Sequence, residues 1–420
     1  MAAPSIQVRA RNGQPLGMPP ARFLRDYWQK RPLLIRGALP DFTPPLSPDE
    51  LAGLACMEGA LARIVIRMRA PSSRPGNGRD PVPGTGKMDS RFRGNDGRWQ
   101  VLNGPFDDAA FAKLPKSHWT LLVQDVDKWD ADTAALLDHF TFIPSWRIDD
   151  VMISYATDNG GVGAHVDQYD VFLLQGSGQR RWSIDARPNP STAFRDDVEL
   201  KLLRSFRPTH TWTLEPGDML YLPPGVPHDG VAVGECTTYS IGMRAPAAGE
   251  LLFDFAARVA EALPESRRLA DPDLKPVTHT GEIDDNALRR ARHALGPAAG
   301  MLDDGAFADW FGRFITRYRV AQVPAPRKRP IDRNKLAQRL PHSILERDPW
   351  NRFAWRPHGR DARLYVAGNA FDAPVAWARE LGSGTRAFDG ARLAKLPQRA
   401  RGMALLALLI DAGCVTLRRR

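Results

Sequence analysis

Short apolar or alternating runs of residues are concentrated between residues 150 and 244. They cover Val151–Ala156, Val171–Gln175, Arg181–Ile184, Thr211–Leu214, Met219–Leu222, Val231–Val233 and Thr237–Met243. Turn-forming segments rich in Gly, Pro, Asp and Asn separate them, such as 158–161 and 223–225. Many short strands at this spacing are typical of an all-β barrel or sandwich, which we predict for this region.

After residue 250 the apolar residues recur at helical spacing instead. The stripes are Leu251, Leu252, Phe255, Val259 and Leu263; then Ala287, Leu288, Ala291 and Leu295; then Phe307, Trp310, Phe311, Phe314 and Tyr318. This pattern predicts helices over 250–323. Two aromatic-rich stripes exceed what one short bundle needs, which favours a contact between subunits. Packing of these helices back onto the barrel is the alternative.

Residues 71–98 have no pattern of either kind. Ten of these 28 residues are Gly or Pro, and almost none is aliphatic. Such a segment cannot bury an apolar face, so we predict a long flexible loop, with an ordered lid as the alternative. It joins two predicted strands, Arg63–Ile66 and Trp99–Leu102, which we expect to form a hairpin with an overgrown tip.

The composition of Pro324–Pro330 predicts a linker. Beyond it, strand patterns at Arg363–Val366 and Cys414–Leu417 alternate with helix patterns at Val375–Leu381 and Gly402–Ile410. This is a small α+β domain similar to a winged-helix module. We therefore divide the chain into a β domain over 1–249, a helical region over 250–323 and a basic domain over 324–420.

The 420-residue chain is globular in composition, with 43% apolar and 25% charged residues, which excludes fibrous and disordered classes. Its net charge of +10 is uneven. Residues 1–249 contain 28 Lys or Arg and 28 Asp or Glu. Residues 250–323 contain 10 basic and 12 acidic residues, and residues 324–420 contain 20 basic and 8 acidic residues. This excess of positive charge favours binding to an acidic partner, and nucleic acid is the first candidate. A solvated surface that is simply rich in Arg would explain the charge as well.

The three cysteines, Cys56, Cys236 and Cys414, lie far apart in the sequence. A disulfide scaffold and a cysteine zinc site are therefore excluded, and a reducing compartment is expected. The longest apolar run, Met403–Ile410, is too short to cross a bilayer, and the first residues lack a signal-peptide core. We predict a cytoplasmic protein that does not contact membranes.

His165 and Asp167 are the first candidates for chemistry. In a strand, residues two apart point to the same side, so both side chains would enter one cavity. His228, in the turn-rich Pro223–His228 segment, supplies a third ligand. Two imidazoles and one carboxylate form the facial triad that binds non-haem Fe(II) and leaves positions open. A strand-edge histidine with a surface aspartate is the plain alternative.

Arg180 follows in the segment Gly176–Trp182, where we predict that it opens a strand. Strand alternation lets only one of Arg180 and Arg181 point inward, and we assign Arg180. A buried guanidinium needs an anion, and a dicarboxylate cosubstrate would provide a bidentate partner. Ser154 could add a hydroxyl to the same carboxylate, although an ordinary strand serine explains it equally well.

These residues resemble the JmjC branch of the cupin-type 2-oxoglutarate oxygenases. The stretches DDVMISYATDNGGVGAHVDQYDVFLLQGSGQRRWSI and LEPGDMLYLPPGVPHDG are more similar still to the bacterial ribosomal oxygenases, and the similarity covers nearly the whole chain. The resemblance implies a JmjC double-stranded β-helix, a helical dimerisation region and a C-terminal winged helix, hence a homodimer. The 71–98 loop departs from the family pattern.

The resemblance also implies a reaction. Fe(II) would be held by His165, Asp167 and His228, and 2-oxoglutarate by Arg180, with O₂ as the second cosubstrate. The expected product is 3-hydroxyarginine on a large-subunit ribosomal protein, L16, with release of succinate and CO₂. No catalytic side chain beyond the metal ligands is required.

Three further residues are candidates for substrate binding. Asp158 lies where a carboxylate would receive the substrate guanidinium, but its Asp-Asn-Gly-Gly context also suits a turn former. Gln168 and Tyr169 would line the pocket or simply belong to the barrel wall. The basic region 324–420 is a candidate for contact with ribosomal RNA.

Two alternatives remain open at the level of sequence. The same oxygenase chemistry would serve a histidine of a ribosomal protein or a small molecule. A nucleic-acid-binding regulator would use the cupin barrel only as a ligand sensor and the basic region as its reader. Turnover distinguishes the enzymes from the regulator.

Overall fold

The structure is a computed structural model that describes residues 5–10, 14–68, 99–264, 270, 272, 285–295, 304–318, 326–384 and 386–419. It divides into two compact units. The first unit comprises Met1–Phe142 and Ile148–Ala245, and the second comprises Ile143–Arg147 and Pro246–Arg420. The separation of 250–323 from 324–420 as two domains stays a prediction.

The first unit is mainly β, as the alternation predicted. Its strands are β1 (Gln7–Arg9), β2 (Leu33–Arg36), β3 (Ala62–Arg67), β4 (Trp99–Asn103), β5 (Trp119–Val123), β6 (Ile148–Ala156), β7 (Val171–Ile184), β8 (His210–Leu214), β9 (Met219–Leu222) and β10 (His228–Met243). Its short helices are α1 (Pro20–Asp26), α2 (Pro48–Ala55), α3 (Asp108–Ala112), α4 (Val126–Trp129) and α5 (Ala131–Ala135), with a 3₁₀ helix at Leu136–Phe140.

All ten strands belong to one sheet. Its order is β1-β2-β9-β7-β10-β6-β5-β3-β4, and β8 pairs with β7. Along β7, Val171 and Leu173 pack in an apolar cluster with Trp182. The alternate residue Phe172 packs instead in an aromatic cluster, 4.9 Å between ring centroids from both Phe140 and Tyr221. Both faces of β7 are therefore buried, which explains its nearly continuous apolar sequence.

Two strands are longer than the sequence predicted. Val171–Gln175 and Arg181–Ile184 were expected to be separate strands, but both belong to β7, and β10 likewise absorbs two predicted strands. The glycines between them form an irregularity in the pairing of β7 with β10. Gly178 has φ +59°, and a Cβ there would lie 2.0 Å from the carbonyl oxygen of Glu235. These glycines therefore permit a bulge and do not end the strand.

The predicted hairpin around residues 71–98 is confirmed in its strands. β3 pairs antiparallel with β4, and Arg67 lies opposite Trp99. β5 pairs with the other edge of β3, so the hairpin is part of the large sheet. The loop itself, predicted to be flexible, lies outside the described residues.

The second unit begins with helices and continues as α+β. Its helices are α6 (Ala248–Ala262), α7 (Asp285–Leu295), α8 (Asp304–Thr316), α9 (Arg333–Arg339), α10 (Val375–Leu381), α11 (Gly390–Ala394) and α12 (Arg399–Asp411), and its strands are β11 (Ser343–Arg347), β12 (Phe353–His358), β13 (Asp361–Val366), β14 (Asn369–Ala373), β15 (Ala387–Asp389) and β16 (Val415–Arg419). Two antiparallel sheets, β15-β11-β16 and β12-β13-β14, share one core with helices α10 and α12. The predicted strands and helices of this region are confirmed.

The predicted helices between 250 and 318 are also present. Trp310 of α8 lies 4.9 Å from Phe255 of α6 between ring centroids, and its indole N–H donates to Asp254. The apolar stripes are only partly covered, because Leu252 and Phe253 are 69% and 79% exposed. Within the described ranges, no helix combines the length and hydropathy needed to cross a membrane.

Gly402 in α12 lies against the buried indole of Trp377, and it offers a test of this core. A Cβ there would lie 1.9 Å from Trp377 Cε2. We expect Gly402→Ala to lower the free energy of unfolding by about 1–3 kcal/mol because the close-packed ring must move. Chemical denaturation followed by tryptophan fluorescence measures it.

The matched control is Gly53→Ala in α2. This glycine is exposed, and a Cβ there meets nothing within 4 Å. Alanine should stabilise that helix by about 0.5–1 kcal/mol. Equal effects of the two substitutions would contradict the packing of Gly402 against Trp377.

Candidate functional site

The predicted metal ligands His165, Asp167 and His228 are together in the structure. One ligand atom from each lies within 4.8 Å of the others. His165 Nε2 is 4.0 Å from Asp167 Oδ1, and His228 Nε2 is 3.6 Å from Asp167 Oδ2. The two imidazole centroids are 4.2 Å apart. The sequence prediction that these three side chains converge is confirmed.

The backbone that positions them differs from the prediction. His165 and Asp167 do not lie on a strand, but in the loop between β6 and β7. His165 N donates to the His228 carbonyl and His228 N to the His165 carbonyl, each at 3.0 Å. The carbonyl of Asp167 accepts from Gly225 N at 2.7 Å. The two segments are thus joined by their main chains at the ligands.

Glycines allow this loop to lie directly on β10. A Cβ at Gly161 would be 2.5 Å from the carbonyl oxygen of Gly230, and one at Gly163 would be 2.9 Å from the Trp99 ring. Gly163 also has φ +80°, a conformation that favours glycine. The Gly-rich sequence before His165 therefore reflects close contact with the main chain of β10 at Gly161 and with the Trp99 side chain at Gly163.

The second nitrogen of each imidazole is held by a carbonyl. His165 Nδ1 is 2.8 Å from the Gly163 carbonyl oxygen, and His228 Nδ1 is 2.9 Å from that of Val226. A carbonyl only accepts, so Nδ1 carries the proton and the Nε2 lone pair faces Asp167. Burial, together with His165, lowers the pKa of His228 to about 4. A neutral imidazole oriented in this way is the form that binds a metal.

Arg180 is buried, as predicted, but it lies inside the continuous strand β7 and does not open a strand. Its neighbour Arg181 is exposed, which confirms the choice between them. Arg180 Nη1 donates to Ser154 Oγ at 3.2 Å. Its Nε and Nη2 have no hydrogen-bond partner among the described residues. A buried guanidinium with free donors costs several kcal/mol unless an anion binds it, so these donors fit a carboxylate.

Ser154 and Trp182 complete this part of the site. Ser154 is buried on β6 and lies opposite Thr238 of β10. The ring of Trp182 lies 5.8 Å from Arg180 Cζ and 5.9 Å from the His228 ring, so it adjoins both the guanidinium and a metal ligand. Its indole N–H is buried and has no partner among the described residues. Trp182 was not predicted as a site residue from the sequence, although its spacing of two from Arg180 places both side chains on the same face of the strand.

Asp158 occupies the turn after β6 and is exposed. Its carboxylate accepts from Gly234 N at 2.9 Å and from Asn159 Nδ2 at 2.7 Å. Asn159 has φ +60°, as a tight turn requires. These contacts support the turn-forming interpretation, while a role in substrate binding stays a prediction.

Gln168 and Tyr169 are exposed in the loop after the metal ligands. Tyr169 keeps 41% of its surface accessible. They are therefore not part of the barrel wall, which was one interpretation of the sequence. A contact with substrate stays a prediction for both.

Comparison with known families agrees with this architecture. A JmjC-domain model matches residues 135–251, and a ROXA-like winged-helix model matches residues 299–416. An AraC-like ligand-binding-domain model also matches residues 208–340. The predicted JmjC cupin fold and the C-terminal winged helix are thereby confirmed.

Curated relatives are similar over most of the chain. It is 35% identical over 325 residues to the ribosomal protein uL16 3-hydroxylase of Escherichia coli, which spans 76% of this chain and 77% of the relative. It is 32% identical over 277 residues to a probable ribosomal oxygenase of Haemophilus influenzae, which spans 61% of this chain and 62% of that protein.

Solved structures extend the similarity to nearly the whole chain. The E. coli ribosomal oxygenase YcfD superposes with a TM-score of 0.75 at 32% identity, covering 96% of this chain and 99% of YcfD. YcfD in complex with cobalt and 2-oxoglutarate superposes with a TM-score of 0.74 at 31% identity and the same coverage. From the sequence identity, the shared fold and the JmjC match together, this chain belongs to the ribosomal oxygenase family of JmjC-domain proteins.

Proposed function

We propose that this protein is an Fe(II)- and 2-oxoglutarate-dependent hydroxylase of an arginine side chain in a large-subunit ribosomal protein of the L16 type. Its products would be 3-hydroxyarginine, succinate and CO₂. The observation that supports the proposal is that two groups of side chains lie next to the same ring, that of Trp182. One is a His-Asp-His cluster, and the other is a buried guanidinium whose remaining donors suit a carboxylate.

His165, Asp167 and His228 would hold the iron. Two neutral imidazoles and one carboxylate are the donor set typical of non-haem Fe(II) oxygenases, and they leave coordination positions open for cosubstrates. The iron supplies the activation of O₂ that the side chains of this chain cannot perform. The carbonyls of Gly163 and Val226 keep both imidazoles oriented with Nε2 toward Asp167.

Arg180 would bind the distal carboxylate of 2-oxoglutarate, and Ser154 would assist it. Ser154 already accepts a hydrogen bond from Nη1, which leaves Nε and Nη2 for a bidentate pair. Arg180 is buried and lies beside the ring of Trp182, and the low dielectric of a buried position strengthens an ion pair. The relative YcfD has been solved with cobalt and 2-oxoglutarate, which supports this assignment.

The substrate is proposed from the uL16 3-hydroxylase named among the relatives. A guanidinium substrate needs a carboxylate near the site, and Asp158 is our candidate. Its oxygens already accept two N–H donors, yet the side chain is exposed and retains lone pairs. The exposed Gln168 and Tyr169 would contact the substrate chain from the adjoining loop.

We also propose that the protein acts as a homodimer. Among the described residues of the helical region, the large apolar side chains of Leu252, Phe253, Leu288 and Phe307 are exposed. Their burial against a second subunit would remove apolar surface from water and would stabilise the dimer by about 25 cal/mol per Å² buried.

The excess of positive charge over residues 324–420 additionally favours contact with ribosomal RNA. A cytoplasmic location would follow from a ribosomal substrate.

The experiment that tests the function is reconstitution with Fe(II) and 2-oxoglutarate under anaerobic conditions. Oxygen and a mixture of large-subunit ribosomal proteins are then added, and fragment mass spectrometry locates any modification. We expect one added oxygen atom on an arginine of one protein, absent without 2-oxoglutarate. The same mass gain on a histidine would reject the arginine assignment.

The alternative of a ligand-sensing regulator is supported by the AraC-like match. It would bind 2-oxoglutarate without producing succinate. Succinate without any modified protein would instead identify a small-molecule oxygenase. Each result therefore selects one candidate function.

Asp167→Ala tests the metal ligands directly. Loss of the carboxylate removes one of three protein ligands, so affinity for Co(II), used as a spectroscopic probe, should fall at least about tenfold. Titration followed by visible absorbance measures it. Glu199→Ala, which removes an exposed carboxylate from the same unit, should leave the affinity unchanged. Unchanged cobalt affinity in Asp167→Ala would reject the assignment.

Arg180→Ala tests the cosubstrate site without relying on turnover. Loss of a buried charge pair costs several kcal/mol, so the Kd for 2-oxoglutarate should rise about a hundredfold. Calorimetric titration of the Zn(II)-loaded protein measures it. The neighbouring Arg181→Ala is the matched control, because that side chain is exposed on the opposite face of β7. Similar Kd values in both variants would contradict the role of Arg180.

A further inference from the structure

A groove in the second unit is separate from the metal centre. Its volume is about 640 Å³, and it lies between α9, the segment before α9 and the strand β16. Apolar residues form part of its lining, among them the buried Leu336 and Val415. Three cationic residues, Arg327, Lys335 and Arg339, line it as well. The groove therefore combines an apolar surface with several positive charges.

The chain along this groove is strongly basic. Residues 327–339 contain six Lys or Arg and a single acidic residue, Asp332. All six basic residues are exposed. The carboxylate of Asp332 accepts the backbone N–H groups of Asn334 and Lys335, so it serves as the N-cap of α9. It is thus engaged by the helix, and its single negative charge offsets one of the six positive charges.

The cations of the groove also lack strong ion pairs. Within the described part of the chain, no carboxylate lies within 4.0 Å of the Lys335 or Arg339 side chain, and Arg327 Nε is 3.7 Å from Asp411. Arginines elsewhere in this unit are paired more closely. Arg401 lies 2.8 Å from Asp361, and Arg418 lies 2.9 Å from Glu346. Lys335 and Arg339 therefore present positive charge at the groove that no ion pair among the described residues neutralises.

Asp348 is the other acidic residue in the lining. Its carboxylate accepts from Trp350 N and Asn351 Nδ2, both at 3.0 Å. It therefore stabilises its own turn. The balance of charges available to a ligand along the groove is positive.

We propose that this groove binds the sugar-phosphate backbone of RNA. Unpaired exposed cations favour a polyanion, and none of the lining residues is aromatic, so base stacking would contribute little. Binding would consequently depend on phosphates and tolerate changes in sequence. The charge of the groove by itself does not distinguish RNA from an acidic protein. We choose RNA because the proposed substrate is a ribosomal protein, so this inference rests on the proposed function.

Fluorescence anisotropy of a short fluorescein-labelled RNA hairpin with the full chain tests the proposal. The variant Lys335→Ala/Arg339→Ala should bind at least about tenfold more weakly at moderate salt, because two phosphate contacts are lost. The slope of log K against log salt should become shallower by about 1.4–1.8. Equal binding by variant and parent, or no binding by the parent, would overturn the proposal.

The matched control removes the same charge from another part of the unit. Arg356 and Arg360 belong to the β12–β13 hairpin and lie outside the groove lining. Arg356→Ala/Arg360→Ala should therefore retain most of the RNA affinity. An equal loss in both double variants would indicate general attraction to a basic surface and reject the groove. Thermal melting of each variant verifies that it is folded.

Two further measurements separate this proposal from the proposed function. Competition with poly-glutamate at equal charge concentration should displace little RNA, because the higher charge density of the RNA backbone releases more condensed counterions. Complete displacement would show that the groove does not distinguish RNA from an acidic protein and would overturn the choice of RNA. The Lys335→Ala/Arg339→Ala variant should modify a free ribosomal protein at the parent rate. A parent that binds RNA but modifies no protein would refute only the proposed function.

Discussion

The site depends on the pair of main-chain hydrogen bonds between His165 and His228. These bonds join the Gly-rich loop before β7 to the first residue of β10, although 62 residues separate the two histidines along the chain. Their geometry sets the distance between two of the three proposed metal ligands without any metal being bound. Gly161 makes the approach possible, because a Cβ there would collide with Gly230. Preorganised ligands of this kind bind a metal without first ordering the chain.

Two arginines with buried side-chain nitrogens, Arg347 and Arg180, differ in how the fold satisfies them. Arg347 is packed between the rings of Phe353 and Phe388, and its Nη2 donates to two carbonyls near the end of α10. Burial lowers its pKa to about 9. Among the described residues, Arg347 leaves one buried nitrogen, Nε, without a hydrogen-bond partner, whereas Arg180 has one hydroxyl partner and leaves two, Nε and Nη2. The two nitrogens of Arg180 are therefore the better candidates for a ligand.

The two units differ in the surface they offer. The first concentrates its chemistry in a buried site and carries no net charge over 1–249. A neutral surface does not repel a basic ribosomal protein, as a uniformly basic enzyme would. The second unit carries the positive excess together with the exposed apolar helices. The surfaces proposed to contact a second subunit and RNA therefore belong to the second unit, whereas the proposed metal ligands belong to the first.

The sequence by itself determined which segments after residue 150 form strands or helices in outline, the residue types of the proposed metal ligands and the inward position of Arg180. Strand alternation and helical spacing are local, so they are readable in a single chain. It did not determine that Gly178 permits a bulge, or that His165 lies in a loop, because both depend on main-chain contacts with β10. The indole N–H of Trp182 is buried and has no hydrogen-bond partner among the described residues, and this results from the packing of distant segments. The groove beside α9 likewise forms only when distant segments pack together. Local patterns identify residues, whereas the tertiary contacts decide which of them are left without a partner.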